Sequence, residues 1–148
     1  MSSVLIVDDQ PSIREILVRM LAPAGYITTQ AGDADAALAM IAKAPPAVLF
    51  CDIDMPGHDG LWLMEQVRRQ FHAVAIVLAT GVEIVPASIS LQGGVVAYVL
   101  KPFDRGQVLA AVRDAVDWHR AAAANGEKPL PARDPVDEWL RSRRSRNV

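Results

Sequence analysis

Two acidic side chains follow a short apolar segment in the stretch VLFCDIDMPGHDG, residues 48–60. Asp52 ends the apolar run, and Asp54 comes two residues later, just before a Pro-Gly pair. A carboxylate at the end of a buried strand can serve as a metal ligand, as a nucleophile or as an ordinary loop residue. Its chemistry therefore depends on what the other strands place beside it.

Polar side chains end three further apolar runs in the same way. Asp8 and Asp9 follow VLIV, Thr80 follows AIVLA, and Lys101 with Pro102 follows VVAYVL. The carboxyl ends of neighbouring parallel strands meet at one edge of a sheet, where open α/β proteins bind their ligands. We therefore expect these side chains to share one pocket with the acids of residues 48–60.

The predicted pocket has the chemistry of a phosphoryl-binding site. Carboxylates gathered there repel one another by roughly 3 to 4 kcal/mol per close pair at an effective dielectric near 20. This repulsion requires a cation, and hard oxygen ligands at a shallow site suit Mg²⁺. Lys101 supplies a positive charge with three donors, and Thr80 supplies a hydroxyl. Together these groups can hold the oxygens of a phosphoryl group.

Short apolar runs alternate with helical patterns over the first 120 or so residues, which is typical of a parallel sheet covered on both faces. The five predicted strands are Val4–Val7, Tyr26–Thr29, Ala47–Cys51, Val74–Ala79 and Val95–Leu100. A doubly wound α/β sheet of order 2-1-3-4-5 would bring the strands that carry polar ends side by side. We expect that order.

Apolar spacing predicts five helices between and after these strands. They are a first helix from Ile13 that ends near Gly25, a second over Ala34–Lys43, a third over Leu61–Phe71, an irregular fourth within residues 82–94 and a fifth around Val108–Val116. The fourth is expected to be short because its segment contains Pro86 and a pair of glycines.

Composition narrows the class of protein. The chain has 148 residues, of which 51% are hydrophobic and 22% charged, as expected for one folded domain with a small appendage. The single cysteine, Cys51, cannot form an internal disulfide, and no apolar run approaches the roughly 18 residues of a membrane span, so we expect a cytoplasmic protein. A net charge of −2 argues against general nucleic-acid binding.

The composition changes near residue 123, where alanines give way to a proline-containing linker. We expect the folded domain to span residues 1–122, and residues 123–148 to form a linker and a basic tail in which VDEWLRSRRSR has the pattern of a short helix. Residues 125–148 hold six basic and four acidic side chains, which leaves nine basic and thirteen acidic ones on residues 1–124. The tail is therefore electrostatically distinct from the domain.

Four motifs in this order, VLIVDDQ, LFCDIDMPGHDG, IVLATG and YVLKPF, resemble the receiver domain of two-component response regulators. In size the chain is similar to a single-domain regulator of the chemotaxis type. The resemblance covers residues 3 to about 120 and implies a flavodoxin-like receiver fold. It implies that Asp52 accepts a phosphoryl group, and that Asp9, Asp52 and the backbone carbonyl of Asp54 bind Mg²⁺, with Asp8 as an outer acid.

The resemblance also implies how such a protein would signal. Thr80 would follow the phosphoryl group, Lys101 would pair with it, Tyr98 would turn inward on activation, and Pro102 would be in cis. The protein would not be an enzyme beyond catalysing its own phosphorylation and dephosphorylation.

The implied partners are a sensor histidine kinase or a histidine phosphotransfer protein, and a downstream protein that contacts the fourth helix, fifth strand and fifth helix. A phosphorylation-dependent dimer also fits the family. We expect no DNA-binding domain and no membrane contact.

Two other functions are compatible with the residues. The acids of residues 52–54, followed by Thr80 and Lys101, also resemble a haloacid-dehalogenase-type phosphohydrolase, although the acidic pair of that family should follow the lysine. Alternatively, a receiver that has lost its chemistry would act only as a docking module. Taken singly, Asp8 and Asp9 would be a helix N-cap pair, Thr80 a strand residue and Lys101 a loop residue.

Overall fold

A five-stranded parallel sheet forms the centre of the protein in the computed structural model, which describes residues 2–81 and 95–125. The strands are β1 (Ser3–Val7), β2 (Ile27–Ala31), β3 (Val48–Asp52), β4 (Ala75–Thr80) and β5 (Val95–Leu100). Their order is β2-β1-β3-β4-β5, and every neighbouring pair is parallel. The predicted doubly wound α/β fold and its strand order are confirmed.

The second strand differs from its prediction. It was expected over Tyr26–Thr29, but β2 begins one residue later and continues to Ala31, because Gln30 and Ala31 still pair with Ile6 and Val7 of β1. The remaining strands agree with their predicted ranges to within one residue at each end.

In the part of the chain that the structure describes, four α-helices surround this sheet. They are α1 (Pro11–Leu21), which a 3-10 turn over Ala22–Ala24 extends, α2 (Ala34–Lys43), α3 (Gly60–Gln70) and α4 (Arg105–Ala124). The last of them is the fifth helix of the sequence prediction. The predicted fourth helix and the predicted tail helix lie outside the described residues.

Polar caps and one proline determine where the helices begin. The Asp33, Asp59 and Asp104 carboxylates cap α2, α3 and α4 by accepting hydrogen bonds from backbone N–H groups at 2.7–2.9 Å. Helix α1 instead begins with Pro11, which lacks the N–H that would otherwise need a partner there. These helices begin three to eight residues after the carboxyl end of the preceding strand.

The two faces of the sheet carry separate cores. On one face, side chains such as Leu5, Leu49 and Ile76 pack against α2 and α3. On the other, Ile6, Phe50 and their neighbours pack against α1 and α4. Every residue of β3 and β4 is buried, so these strands are apolar along their length and polar only at their carboxyl ends.

Helix α4 runs to Ala124, two residues past the predicted end of the folded domain. The division into residues 1–122 and 123–148 stays a prediction. Over the ranges 2–81 and 95–125, none of the helices has the length and apolar character needed to cross a membrane.

Candidate functional site

Four strands bring polar side chains to one edge of the sheet. Asp8 follows β1, Asp52 and Thr80 are the last residues of β3 and β4, and Lys101 follows β5. Within the described ranges, Asp8, Asp52 and Thr80 are the only polar or charged residues that are fully buried. Burial of this kind is costly unless the groups are paired or bind an ion, so this edge is the candidate site.

Three carboxylates form a cluster at this edge. Asp8, Asp9 and Asp52 each offer one oxygen, and these oxygens lie within 4.8 Å of one another. Asp9 is exposed, whereas the other two carboxylates are buried. Hard oxygen ligands that are partly open to water fit a divalent cation such as Mg²⁺, which keeps several of its own waters.

Lys101 reaches into this cluster. Its Nζ atom lies 3.0 Å from Oδ2 of Asp8 and 3.2 Å from Oδ2 of Asp52. Its backbone N–H donates to the carbonyl oxygen of Thr80 at 2.9 Å, which fixes the start of the side chain next to β4. The following peptide bond to Pro102 is cis, as the resemblance implied.

The pKa values of Asp52 and Lys101 are both shifted upward, for different physical reasons. Burial raises the pKa of Asp52; the charge of Lys101 lowers it and that of Asp8 raises it, and the net shift is upward. Burial lowers the pKa of Lys101, but the hydrogen bond to Asp8 and the charge of Asp52 outweigh burial, so the net shift is again upward. By charge, three carboxylates face one lysine in this cluster, so a divalent cation would bring the site closer to neutrality.

Replacing Lys101 with methionine should lower the free energy of unfolding at pH 7 by about 3 kcal/mol, because it leaves two buried carboxylates without their cation. A lysine whose pKa is raised by folding stabilises the fold at lower pH and loses that effect as the pH rises through the raised pKa. The difference from wild type should therefore disappear in strongly alkaline solution. Urea unfolding at neutral and alkaline pH measures both expectations.

Lys43→Met is the matched control for this substitution, since Lys43 is an exposed lysine in the last turn of α2. It should change stability by less than about 0.5 kcal/mol. Equal losses in the two variants, or a Lys101→Met deficit that persists at alkaline pH, would show that the lysine does not neutralise the acids.

Asp54 and Tyr98 lie outside the carboxylate cluster. The Asp54 side chain is exposed, and its backbone N–H donates to Oδ1 of Asp52 at 3.3 Å. Tyr98 pairs with Leu78 across β4 and β5, and its partly buried ring packs on the core below α2 and α3. The metal-binding role of the Asp54 carbonyl and the inward turn of Tyr98 stay predictions.

The sequence reasoning missed three residues that shape the site. Arg14 donates from Nη1 to the backbone carbonyl of Asp8 at 2.6 Å and from Nε to Oε1 of Gln30 at 3.1 Å. A Cβ atom on Gly60 would lie 2.2 Å from the carbonyl oxygen of Asp52. The Asp-Gly pair in the opening motif was a signal for Gly60, whereas no sequence pattern pointed to Arg14 or Gln30.

A stacked pair of rings joins the β3–α3 loop to the first turn of α3. The rings of His58 and Trp62 are 3.8 Å apart with an angle of 10° between their planes. Nδ1 of His58 lies 3.0 Å from Oδ1 of Asp35 in α2. This contact ties the loop that follows Asp52 to a neighbouring helix.

Comparison with known proteins agrees with this geometry. The family model for the response regulator receiver domain matches residues 4–113. The DNA-binding transcriptional regulator NtrC of Salmonella typhimurium is 36% identical over 118 residues, which cover 79% of this chain and 25% of NtrC. The chain thus spans about a quarter of the length of this relative.

Two solved structures are similar over most of their own length. The chemotaxis response regulator CheY4 of Vibrio cholerae is 30% identical with a TM-score of 0.69, and the match covers 78% of this chain and 98% of CheY4. The response regulator TrrA of Thermotoga maritima is 27% identical with a TM-score of 0.67, and the match covers 78% of this chain and 99% of TrrA.

The family match favours a receiver over the phosphohydrolase alternative, and the sheet order and acidic edge agree with it. The chain belongs to the response regulator receiver domain family.

Proposed function

We propose that this chain is a phosphorylation-activated response regulator that accepts a phosphoryl group onto Asp52 in a Mg²⁺-dependent reaction. One observation carries the proposal. The Asp52 carboxylate lies 3.2 Å from the Lys101 amine and within 4.8 Å of oxygens from Asp8 and Asp9. This arrangement supports a reaction in which Asp52 is the nucleophile, Lys101 the cation and the three carboxylates the metal ligands of one partly open pocket.

The side chains divide the reaction between them. An Asp52 oxygen attacks the phosphorus of the donor, and the leaving group departs with the electron pair of the broken bond. Lys101 binds an oxygen of the transferred group, and the Thr80 hydroxyl binds another. Asp8, Asp9, Asp52 and the Asp54 carbonyl would hold Mg²⁺, which when bound would neutralise charge on the transferred group.

One of the comparisons supports Mg²⁺ as the ion that this chain would bind. TrrA, which shares the fold at 27% identity, was solved in complex with Mg²⁺ and BeF. The donor set of this chain fits the same ion, since the clustered ligands are carboxylate oxygens.

The proposed donors are a sensor histidine kinase or a histidine phosphotransfer protein. The proposed output is contact with a downstream protein through β5 and α4. The predicted fourth helix, which the sequence analysis adds to this contact, lies outside the described residues. In this proposal residues 1–122 form the receiver and residues 123–148 form a linker and basic tail. NtrC is by name a DNA-binding regulator, but this chain spans too little of it to inherit that activity.

The direct test is labelling with acetyl phosphate. In millimolar Mg²⁺ the protein should take up one phosphoryl group that acid and hydroxylamine remove, as expected of an acyl phosphate. Excess EDTA should prevent the uptake. Equal labelling with and without EDTA would contradict the proposed role of the metal.

Asp9→Ala should separate metal binding from folding. Asp9 is exposed, so its loss should change the free energy of unfolding by less than about 0.5 kcal/mol. The affinity for Mg²⁺ should fall by at least about tenfold, and labelling should fall with it. Isothermal titration calorimetry measures the affinity, with the exposed Asp114→Ala as a control of equal charge change. Unchanged affinity in Asp9→Ala would remove this residue from the metal site.

A further inference from the structure

The side chain of Arg14 joins helix α1 to the carboxyl ends of two strands. From the first turn of α1, Nη1 donates to the carbonyl oxygen of Asp8 at 2.6 Å. Nε of the same guanidinium donates to Oε1 of Gln30, near the end of β2, at 3.1 Å. The planar fork of arginine is suited to holding two acceptors at once.

The contact from Arg14 matters more for the position of Asp9 than for the position of Asp8, because Asp8 has other contacts that hold it. The Asp8 carboxylate accepts from the Gln10 N–H at 2.9 Å and from Lys101 at 3.0 Å, and the Asp8 N–H donates to Ala31 at 3.3 Å. For the Asp9 side chain, the described part of the chain provides no hydrogen bond or ion pair. The position of the Asp9 carboxylate therefore depends on the backbone that carries it.

The carbonyl that Arg14 holds belongs to the peptide group between Asp8 and Asp9. Because a peptide group is planar, fixing its oxygen also fixes the direction in which the chain enters Asp9. Arg14 thereby restrains the peptide group from which the chain enters Asp9, whose carboxylate lies within 4.8 Å of the two buried ones.

We propose that Arg14 is a positioning residue that preorganises Asp9 for cation binding, an inference that rests on the proposed function. If Arg14 acted only through its charge, it would weaken cation binding, because a permanent guanidinium charge near the acids repels a divalent cation. The two effects differ in sign, so removal of Arg14 distinguishes them.

Arg14→Met in the full chain should raise the dissociation constant for Mg²⁺ by about tenfold, the size of change seen when groups that orient metal ligands are lost. Isothermal titration calorimetry with Mg²⁺ alone measures it. Arg19→Met is the matched control, because Arg19 is an exposed arginine of the same helix that pairs with Glu15 at 2.7 Å. That variant should bind Mg²⁺ as the wild type does.

A second measurement needs no metal. Amide hydrogen exchange at Asp8 and Gln10, whose N–H groups donate to Ala31 and to the Asp8 carboxylate, should be faster in metal-free Arg14→Met than in wild type or Arg19→Met. If Arg14→Met does not fold, Arg14→Lys keeps the charge but cannot hold both acceptors with a planar fork, and it should weaken Mg²⁺ binding severalfold.

The outcomes separate this inference from the proposed function. A wild-type protein that binds no Mg²⁺ would contradict the proposed function itself. A wild type that binds Mg²⁺, together with a folded Arg14→Met variant that binds it equally or more tightly, would overturn the positioning role alone.

Discussion

The Asp52→Asn protein should take up no hydroxylamine-sensitive phosphoryl group from acetyl phosphate and Mg²⁺, under conditions in which the wild type takes up one. An amide oxygen is a poor nucleophile, so labelling should fall by more than about a thousandfold, as for loss of other enzyme nucleophiles. The amide also removes one of the three clustered carboxylates. Radiolabel uptake followed by hydroxylamine treatment measures the effect.

The loss of labelling in this variant should not come from unfolding. Burial raises the pKa of Asp52 in the folded protein. Above that pKa the carboxyl group is ionised, and the buried charge then destabilises the folded state relative to the unfolded one. A neutral asparagine should therefore make the metal-free protein at least as stable as the wild type at pH 7. That advantage should disappear below about pH 3.9, where the carboxyl group is protonated in both states.

Asp54→Asn is the matched control for Asp52→Asn. It makes the same acid-to-amide change two residues away, on an exposed side chain that is not in the carboxylate cluster. This variant should keep its labelling, since only the backbone carbonyl of Asp54 is proposed to bind the metal. Labelling of Asp52→Asn, or loss of labelling in Asp54→Asn alone, would place the acceptor elsewhere.

Gly60→Ala should destabilise the fold about as strongly as Lys101→Met does at neutral pH. Its Cβ atom would lie 2.2 Å from the carbonyl oxygen and 2.9 Å from the carbonyl carbon of Asp52, both backbone atoms of β3 that cannot rotate away. The free energy of unfolding should fall by about 3 kcal/mol, as for severe overpacking. Any folded fraction should label poorly, because relief of the clash displaces Asp52. Urea unfolding and acetyl phosphate labelling measure the two effects.

Gly106→Ala is the matched control, since Gly106 also lies in the first turn of a helix that an aspartate caps. The nearest atom to its Cβ would be Oδ2 of Asp104 at 3.3 Å, the end of a side chain that can move. Alanine also favours the helix by up to about 1 kcal/mol over glycine, so this variant should be close to wild type in stability. Similar losses in the two variants would mean that close approach to β3 is not the cause.

The sequence predicted the part of the fold that apolar patterning controls. Strands β3 and β4 are buried throughout and appear as continuous apolar runs, so their ends could be located to within one residue. Strand β2 lies at the edge of the sheet, and most of its residues are exposed or half-buried. No apolar run marks its carboxyl end, and the predicted strand therefore stopped before Gln30.

The candidate site was predictable to the extent that it follows from strand ends. Parallel strands end at one edge, so Asp8, Asp52, Thr80 and Lys101 could be placed together before any distance was known. Arg14 and Gln30 could not be placed there, because their contact depends on how α1 packs beside β2. Similarly, the effect of Gly60 depends on the path of the loop between Asp52 and α3, which local sequence does not determine.

Chemical mapping of the modified residue in the wild-type protein tests the central claim most directly. After reaction with acetyl phosphate and Mg²⁺, borohydride reduces an aspartyl phosphate to homoserine, and peptide mass spectrometry locates that residue. The account predicts homoserine at position 52 alone, dependent on Mg²⁺ and absent in EDTA. Homoserine at another aspartate, or an acid-labile phosphoryl group on a histidine such as His58, would contradict it.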